Sequence, residues 1–253
     1  MQIVNIDEGN FTQHPGAICF INPKNPSFSL KIDWIKQRFS EGLRIKLLYT
    51  EDRRKVAGFI EYVPGEFAWR AVSATGYMFI HCLWIYPNEN KNKGLGTQLI
   101  NECIEDARQN NCNGIAVVTS KNAFMANSSL FLKNGFREIA NDGTGNELLV
   151  FSFNNETLPA INDWKKQLAT FHGLHIIYSK QCPWVARMVE EIKESELAKK
   201  LGIQITGLKT PADAQNAPSL YSVFNLVNNG KLLADRYISI TRFNNILKKE
   251  KLI

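Results

Sequence analysis

Short apolar runs separated by turn residues dominate the first 153 residues and predict a chain rich in β-strands. Valine, isoleucine and aromatic residues fill these runs, and glycine, proline or asparagine bounds them, as is usual for strands. We expect strands over 44–49, 56–63, 68–72, 76–86, 115–119 and 147–153. Apolar residues recur at helical spacing over 29–39 and from Leu99 to Ala107, which predicts a helix in each place. The pattern predicts an α/β fold in which helices cover the faces of a mixed sheet.

The second half shows its own, smaller alternation of strands and helices. Strands are expected over 174–178, 203–208, 220–227 and 232–235, and helices over 185–192, 211–216 and 241–249. Turn residues at 228–231 predict a hairpin between the last two strands. We therefore predict a first domain over 1–153, a linker over 154–170 and a smaller α/β domain over 171–253.

The composition predicts the cellular compartment and argues against several classes of protein. With 44% hydrophobic and 21% charged residues among 253, the chain is expected to fold as a soluble globular protein. It holds no apolar run of eighteen residues and its N-terminus lacks the layout of a signal peptide, so we predict a cytoplasmic protein without a membrane partner. Its net charge is +6, but basic residues are scattered among acidic ones, which argues against nucleic-acid binding.

The cysteines argue against a metal site. The chain has five cysteines, an odd number, at Cys19, Cys82, Cys103, Cys112 and Cys182. Their spacing matches neither a zinc site nor a disulfide framework. We expect no bound metal.

The segment Gly94-Leu95-Gly96-Thr97 is the strongest chemical signal in the sequence. It joins a predicted strand to a predicted helix, where unpaired backbone N–H groups can bind a pyrophosphate. A P-loop would need Lys-Ser/Thr after the last glycine, and a dinucleotide fingerprint would need a third glycine near Leu99. A nucleoside triphosphatase and a nicotinamide enzyme are therefore disfavoured.

Three motifs in order resemble the GCN5-related N-acetyltransferases (GNAT). Lys91-Asn92-Lys93-Gly94-Leu95-Gly96 resembles the family's Arg/Gln-x-x-Gly-x-Gly/Ala motif, residues 115–119 stand where its next strand lies, and residues 127–136 resemble its late helix ending in Gly-Phe. The resemblance implies a GNAT acyl-CoA acyltransferase fold and acetyl-CoA as co-substrate. It also implies acetyl transfer to an amine of a small molecule, by direct attack in a ternary complex.

The same resemblance implies where the cofactor binds. The backbone of the strand before the loop would hold the pantetheine arm, and the loop would hold the pyrophosphate. The residues implied are Leu83, Trp84, Ile85, Lys91, Asn92, Lys93, Gly94, Leu95, Gly96, Thr97, Asn127 and Phe131. Phe131 stands where many relatives carry a tyrosine that protonates the departing thiolate, and it cannot do so.

Candidates for catalysis and acceptor binding lie on the predicted strands. Glu61 interrupts an apolar strand and His81 lies on the strand before the loop, so both are candidate general bases. The alternatives are that Glu61 faces solvent and that His81 is a structural histidine. Glu66 and Arg70 are candidate substrate residues, because an arginine can bind a carboxylate bidentately, although a hairpin ion pair explains them equally well.

The second domain resembles the thioredoxin and glutaredoxin fold. Cys182 begins a predicted helix and Pro218 precedes a later strand, so the resemblance implies a cis proline beside the cysteine. Val185 replaces that family's second cysteine, which makes a dithiol oxidoreductase improbable. Cys182 is a candidate for a thiol role, with packing or dimerisation as the alternative. The order of the two domains resembles bacterial YoaP-type proteins.

Three functions remain open from the sequence. The first is the acetyl-CoA-dependent N-acetyltransferase; the second is a non-catalytic acyl-CoA or thiol-binding sensor; the third and weakest is a monothiol redox protein. The sequence does not identify the acceptor amine. It leaves a homodimer open.

Overall fold

A computed structural model of the chain describes residues 1–14, 19–50, 55–121, 125–154 and 157–253. The chain divides into two compact units, each assembled from three stretches. The first unit comprises Met1–Ile21, Ile35–Ala68 and Val72–Ile161, and the second comprises Asn22–Trp34, Trp69–Ala71 and Asn162–Ile253. The predicted linker over 154–170 stays a prediction, and its residues 155 and 156 lie outside the described residues.

A seven-stranded mixed sheet forms the centre of the first unit. The strands of this unit are β1 Gln2–Ile6, β2 Arg44–Tyr49, β3 Val56–Pro64, β4 Val72–Ser73, β5 Tyr77–Ile85, β6 Gly114–Ser120, β7 Arg137–Asn141, β8 Asn146–Ser152 and β9 Ala160–Ile161. The large sheet has the order β1-β2-β3-β5-β6-β8-β7, and β4 pairs with β9 separately. Its neighbours are antiparallel except β5 and β6, which are parallel. The predicted mixed α/β sheet is confirmed.

Helix α2 covers one face of this sheet. The first three α-helices of the chain are α1 Pro26–Phe39, α2 Leu95–Gln109 and α3 Ser128–Lys133. Leu99, Ile100 and Cys103 of α2 are buried in a core with Ile60 of β3 and Ile80 of β5. This is the amphipathic face that the 3.6-residue period predicted. It fixes where α2 begins relative to the end of β5.

The second unit contains a four-stranded sheet of its own. Its strands are β10 Leu174–Tyr178, β11 Gln204–Gly207, β12 Phe224–Asn228 and β13 Lys231–Ala234, in the order β11-β10-β12-β13. Its helices are α4 Trp164–Leu168, α5 Pro183–Glu194, α6 Glu196–Leu201, α7 Pro211–Gln215 and α8 Ile240–Lys249. Apolar residues of α5 and α8, among them Val189 and Phe243, are buried against Ile176 and Leu226 of the sheet.

Two predicted strands differ from the structure. Over 68–72, only Val72 pairs as a strand, because the backbone before it bonds elsewhere: Ala71 N donates to Leu220 O at 3.2 Å. The strand predicted to begin at 220 begins at Phe224. Ser222, with φ of +54°, forms a turn in which its N–H donates to Ser219 Oγ at 3.2 Å, and this delays the strand.

The geometry expected of Pro218 is wrong. The described part of the chain has a cis peptide bond at Tyr86–Pro87, whereas Ala217–Pro218 is trans. The thioredoxin-like assignment of the second unit therefore loses the feature on which it depended most. It stays a prediction, with strand and helix order as its support.

Candidate functional site

The parallel pair β5 and β6 separates part of the way along its length. Pairing joins residues 77–80 of β5 to residues 114–117 of β6 and stops there. Beyond that point β5 continues to Ile85 on β3 alone, while β6 continues to Ser120 on β8 alone. The edge of β5 over 81–85 therefore presents backbone N–H and C=O groups to a gap in the sheet.

A β-bulge lies where this gap begins. Glu61 is opposite Cys82 and Tyr62 is opposite Ile80, so His81 is an extra residue in β5. Bulges bend and twist a strand and are over-represented next to active sites. The bulge at His81 thus directs the second half of β5 away from β6.

The predicted phosphate loop lies between β5 and α2. Asn92 and Gly94 both have positive φ, +61° and +75°, and Gly94 N-caps α2. The first helical bond runs from Gln98 N to Gly94 O at 3.1 Å. For the backbone N–H groups of residues 92–97, the described part of the chain offers no recorded acceptor. Such a group of free donors at a helix N-terminus is suited to an anion.

Exposed lysines flank these donors. Lys91 and Lys93 are exposed, as are Asn92 and Gly94, whereas Leu95 and Gly96 are buried. The two lysines add positive charge beside the loop, which favours a phosphate-bearing ligand. The predicted strand residues Leu83, Trp84 and Ile85 are each partly exposed along the open edge of β5.

Helix α3 packs against the start of α2. A Cβ on Gly96 would lie 3.0 Å from Cδ2 of Leu130, so the Leu130 side chain packs closely on this glycine. Asn134 Nδ2 donates to Thr97 Oγ1 at 3.2 Å. Sequence reasoning missed Asn134; its place before Gly135 signalled only the end of a helix.

Asn127 and Phe131 serve α3 and the core. Asn127 caps α3, and its Oδ1 accepts from Ser129 N at 2.8 Å. Phe131 is 0% exposed and packs edge-to-face on Phe136 with ring centroids 5.3 Å apart. The Phe131 ring lies in the core of the first unit, and its place in the cofactor site stays a prediction.

The two candidate bases lie together. His81 Nδ1 is 3.4 Å from Glu61 Oε1, and the side chains are 0% and 1% exposed. The alternative in which Glu61 faces solvent is therefore wrong. A carboxylate and an imidazole at this distance attract each other when the imidazole is protonated, and their burial strengthens the interaction. The bulge, which no simple alternation predicts, brings the pair to the start of the gap.

The two candidate substrate residues belong to different units. Glu66 is exposed in the first unit and its Oε1 accepts from Gly76 N at 3.0 Å. Arg70 belongs to the second unit, where it is 3% exposed. Its Nη1 donates to Gln181 Oε1 at 2.7 Å, and its guanidinium lies 4.6 Å from the ring centroid of Tyr221.

Cys182 precedes α5 in the second unit. It is the N-cap residue of that helix, partly exposed, and Pro183 occupies the first helical turn. Val185 is buried in the core of the unit. Gln181, the residue before the cysteine, accepts a hydrogen bond from Arg70, which no sequence pattern indicated.

The described residues bear on two remaining expectations, those of a membrane span and of a metal site. No helix there is both long and apolar enough to cross a bilayer. No group of three or more His, Cys, Asp and Glu side chains within the same residues is arranged to hold a metal ion.

Comparison with known proteins identifies the first half of the chain. Residues 17–136 match the model of the acetyltransferase (GNAT) family. A protein of Bacillus subtilis strain 168, described as the uncharacterized N-acetyltransferase YoaP, is 29% identical over 220 residues. The match covers 85% of each chain, which extends well past the family match into the second half.

Solved acetyltransferases are similar at lower identity. The aminoglycoside 6'-N-acetyltransferase of Enterococcus faecium is 14% identical with a TM-score of 0.44, over 62% of this chain and 99% of that one. A GNAT-family acetyltransferase of Staphylococcus aureus Mu50 is 14% identical with a TM-score of 0.44, over 60% and 99%. A Bacillus subtilis acetyltransferase in complex with CoA is 16% identical with a TM-score of 0.41, over 60% and 99%.

The family match covers the strand, the gap and the glycine loop described above. Residues 17–136 thus resemble an acetyltransferase domain of the GNAT family, and the chain is similar over most of its length to the YoaP N-acetyltransferase of Bacillus subtilis.

Proposed function

We propose that the protein is an acetyl-CoA-dependent N-acetyltransferase that acetylates an amine of a small molecule by direct attack in a ternary complex. The observation that carries the proposal is the gap between β5 and β6, which leads to the free N–H groups of residues 92–97. An extended pantetheine arm and a pyrophosphate are neighbouring parts of CoA, and this gap and loop suit them in that order.

The chain's own groups fit such a ligand. On the open edge of β5, the backbone of Leu83, Trp84 and Ile85 can pair with amide groups of an extended arm as another strand would. At the loop, N–H groups and the α2 dipole favour phosphate, and Lys91 and Lys93 add charge. Acetyl-CoA supplies the acetyl group when bound.

Glu61 and His81 are proposed to receive the proton that the amine loses. The amine nitrogen forms a bond to the acetyl carbon as the C–S bond breaks, so one proton must leave the nitrogen and the sulfur must carry away an electron pair. A buried carboxylate–imidazole pair 3.4 Å apart can hold that proton. Backbone N–H groups at the gap can stabilise charge on the carbonyl oxygen.

The leaving sulfur needs no acid from Phe131. A thiol ionises with a pKa of about 8.5, so a thiolate is a far better leaving group than an alkoxide at neutral pH. We propose that solvent protonates it after departure. The buried phenylalanine is therefore compatible with turnover.

A non-catalytic acyl-CoA or thiol-binding sensor is the second candidate. It is favoured by the complete burial of both candidate bases and by Phe131 in place of a hydroxyl. In a sensor, ligand binding would be tight but no CoA would be released in the presence of amines. The monothiol redox function has weaker support, since Val185 removes a resolving cysteine and lies in the core.

Calorimetric titration with acetyl-CoA tests the proposal. Binding is expected, and at a hundred times the dissociation constant the ligand should raise the free energy of unfolding by about 2.7 kcal/mol. Absence of binding at millimolar concentration would refute both candidates. Release of CoA in a screen of small amines would then support the enzyme, and binding without release would support the sensor.

Other features of the protein are part of this proposal. The acceptor is a small-molecule amine, nucleic acid and membranes are not partners, and the protein acts in the cytoplasm. A homodimer is compatible with the sequence, and sedimentation of the purified protein would measure its oligomeric state.

A further inference from the structure

Asn134 connects the end of α3 to the first turn of α2. It is the C-cap residue of α3, and its Nδ2 donates to Leu130 O at 2.7 Å as well as to Thr97 Oγ1 at 3.2 Å. The carbonyl of Leu130 can only accept, which fixes the amide nitrogen on that side. Both N–H groups of the amide are therefore used, one of them on the Thr97 hydroxyl.

That bond determines how the Thr97 hydroxyl is used. The Thr97 oxygen accepts from Asn134, so its own proton must point elsewhere. No acceptor within the described residues is recorded for it. The hydroxyl belongs to the same helical turn as the free N–H groups of Leu95, Gly96 and Thr97, so its proton is one more donor at the proposed phosphate site.

We propose that Asn134 is a positioning residue that presents the Thr97 hydroxyl proton to a phosphate group of the bound CoA. The inference rests on the proposed function, because it takes CoA as the ligand of this loop. Asn134 donates to the Thr97 hydroxyl oxygen from the side of α3, so that the hydroxyl proton faces the ligand. The Leu130 contact with Gly96 keeps α3 at the distance that this hydrogen bond requires.

Calorimetric measurement of the dissociation constant of CoA tests the inference. Thr97→Val removes the donor and should weaken binding about tenfold, the low end for a hydrogen bond to a charged group. Asn134→Ala should weaken binding about threefold, because the hydroxyl proton then spreads over three staggered positions. Asn134→Asp should cost more than tenfold, since a carboxylate takes the Thr97 proton and repels phosphate.

A double-mutant cycle separates positioning from a structural effect. In the Thr97→Val background, Asn134→Ala should change the dissociation constant by less than about 1.7-fold, because no hydroxyl remains to position. A change of about 1.7-fold equals about 0.3 kcal/mol, which is within the scatter found for independent sites. The KM for acetyl-CoA should rise in Asn134→Ala with kcat unchanged. An equal loss of affinity in both backgrounds, or no loss in either, would overturn the inference.

Asn216 supplies the matched control. It caps the C-terminus of α7 with the same bond, Nδ2 to Ala212 O at 2.9 Å. Asn216→Ala should lower the thermal midpoint as much as Asn134→Ala and leave CoA binding unchanged. If the wild-type protein binds no CoA, the proposed function fails and this inference falls with it. If it binds CoA and Asn134→Ala binds equally well, only the inference fails.

Discussion

Gly94 and Gly143 have the same positive φ in different loops. Both have φ of +75°, and a Cβ on either would meet no atom within 4 Å. An alanine at either position must adopt a left-handed conformation, which costs about 1 kcal/mol of stability. The two glycines differ in position: Gly94 begins α2 at the proposed phosphate site, and Gly143 lies in the loop between β7 and β8.

We therefore expect Gly94→Ala to weaken CoA binding and Gly143→Ala to leave it unchanged. Both variants should lose similar stability in urea unfolding. Isothermal titration of the two purified variants measures the difference. Equal affinities for CoA would show that the Gly94 loop does not contact the ligand.

The buried pair of Glu61 and His81 makes a second prediction at the level of single residues. If the pair accepts the proton of the amine, Glu61→Gln should lower kcat by roughly 100-fold or more, since general bases contribute about that much. The dissociation constant of acetyl-CoA should not change. Glu138→Gln, on the exposed strand β7, is the control and should retain full activity. A Glu61→Gln variant with normal kcat would remove Glu61 from the mechanism.

Sequence patterns revealed some of these residues and concealed others. The glycine loop was predictable because only glycines fit the left-handed position and the close approach to Leu130. The contact between Glu61 and His81 was not, because it depends on one extra residue in β5. Arg70 is a candidate substrate residue, and it donates to Gln181, a partner 111 residues away that no local pattern could indicate.

At the level of elements, hydrogen bonds and ion pairs connect α2 to the sheet. Asp106 of α2 accepts from the Tyr62 hydroxyl, from Lys46 Nζ at 3.1 Å and from Arg44 Nη1 at 3.2 Å. Burial acts to raise the pKa of Asp106, but the hydrogen bonds from Tyr62, Lys46 and Arg44 together hold that pKa below its ordinary value. Burial also raises the pKa of the Cys103 thiol, which stays protonated in the same core.

Because the pKa of Asp106 is lowered, the free energy of unfolding depends on pH in the acidic range. Because the folded state holds the proton less tightly than the unfolded state, whose pKa is about 3.9, this carboxylate stabilises the fold fully above that pH. The contribution is lost as the pH falls through the folded pKa. Asp106→Asn should lower the free energy of unfolding at pH 7 by about 2 kcal/mol, as expected for hydrogen bonds to a charged group. The thermal midpoint of the variant should also fall less steeply between about pH 5 and pH 2.

Glu105→Gln is the control for this prediction. Glu105 lies on the exposed side of the same helix. Its replacement should change the free energy of unfolding by less than about 0.5 kcal/mol, as surface substitutions do. An unchanged pH profile in Asp106→Asn would show that other carboxylates determine the acid sensitivity.

The elements themselves were mostly predictable where periodicity was long. Helix α2 and the central strands follow the hydrophobic pattern closely, since α2 has one buried face and the strands are apolar runs. The edge strands β1 and β7 were missed: β7 has few apolar residues and exposed ends, and the apolar residues of β1 form a run of only five residues. Residues 68–72 were predicted as a strand because they are apolar, but their burial serves other contacts.

At the scale of the whole molecule, the second unit needs residues from the first half of the chain. Trp69 is 1% exposed, and its carbonyl accepts from Ser222 Oγ at 3.0 Å. Arg70 bonds to Gln181, and Ala71 O accepts from Asn162 N at 2.9 Å. These contacts belong to the second unit although about ninety residues separate them from its main stretch.

We therefore expect a fragment of residues 162–253 not to fold by itself. Removing residues 69–71 takes away the Arg70 hydrogen bond of Gln181 and the Trp69 hydrogen bond of Ser222, at roughly 1–3 kcal/mol each, and removes a buried tryptophan. Near-ultraviolet circular dichroism and urea unfolding of the fragment measure this. A cooperative transition like that of the intact chain would show that the second unit is independent.

The bulge in β5 has a consequence for insertions and deletions. Met78 and Ile80 face the core with α2, and so do Leu83 and Ile85, so the alternation changes phase by one residue across His81. Deleting the His81 codon would restore a regular alternation without exchanging the faces of the strand. We expect this deletion variant to remain folded, as measured by circular dichroism, but to lose the proposed acetyl transfer. A single codon would then separate a regular strand from one that supports the reaction.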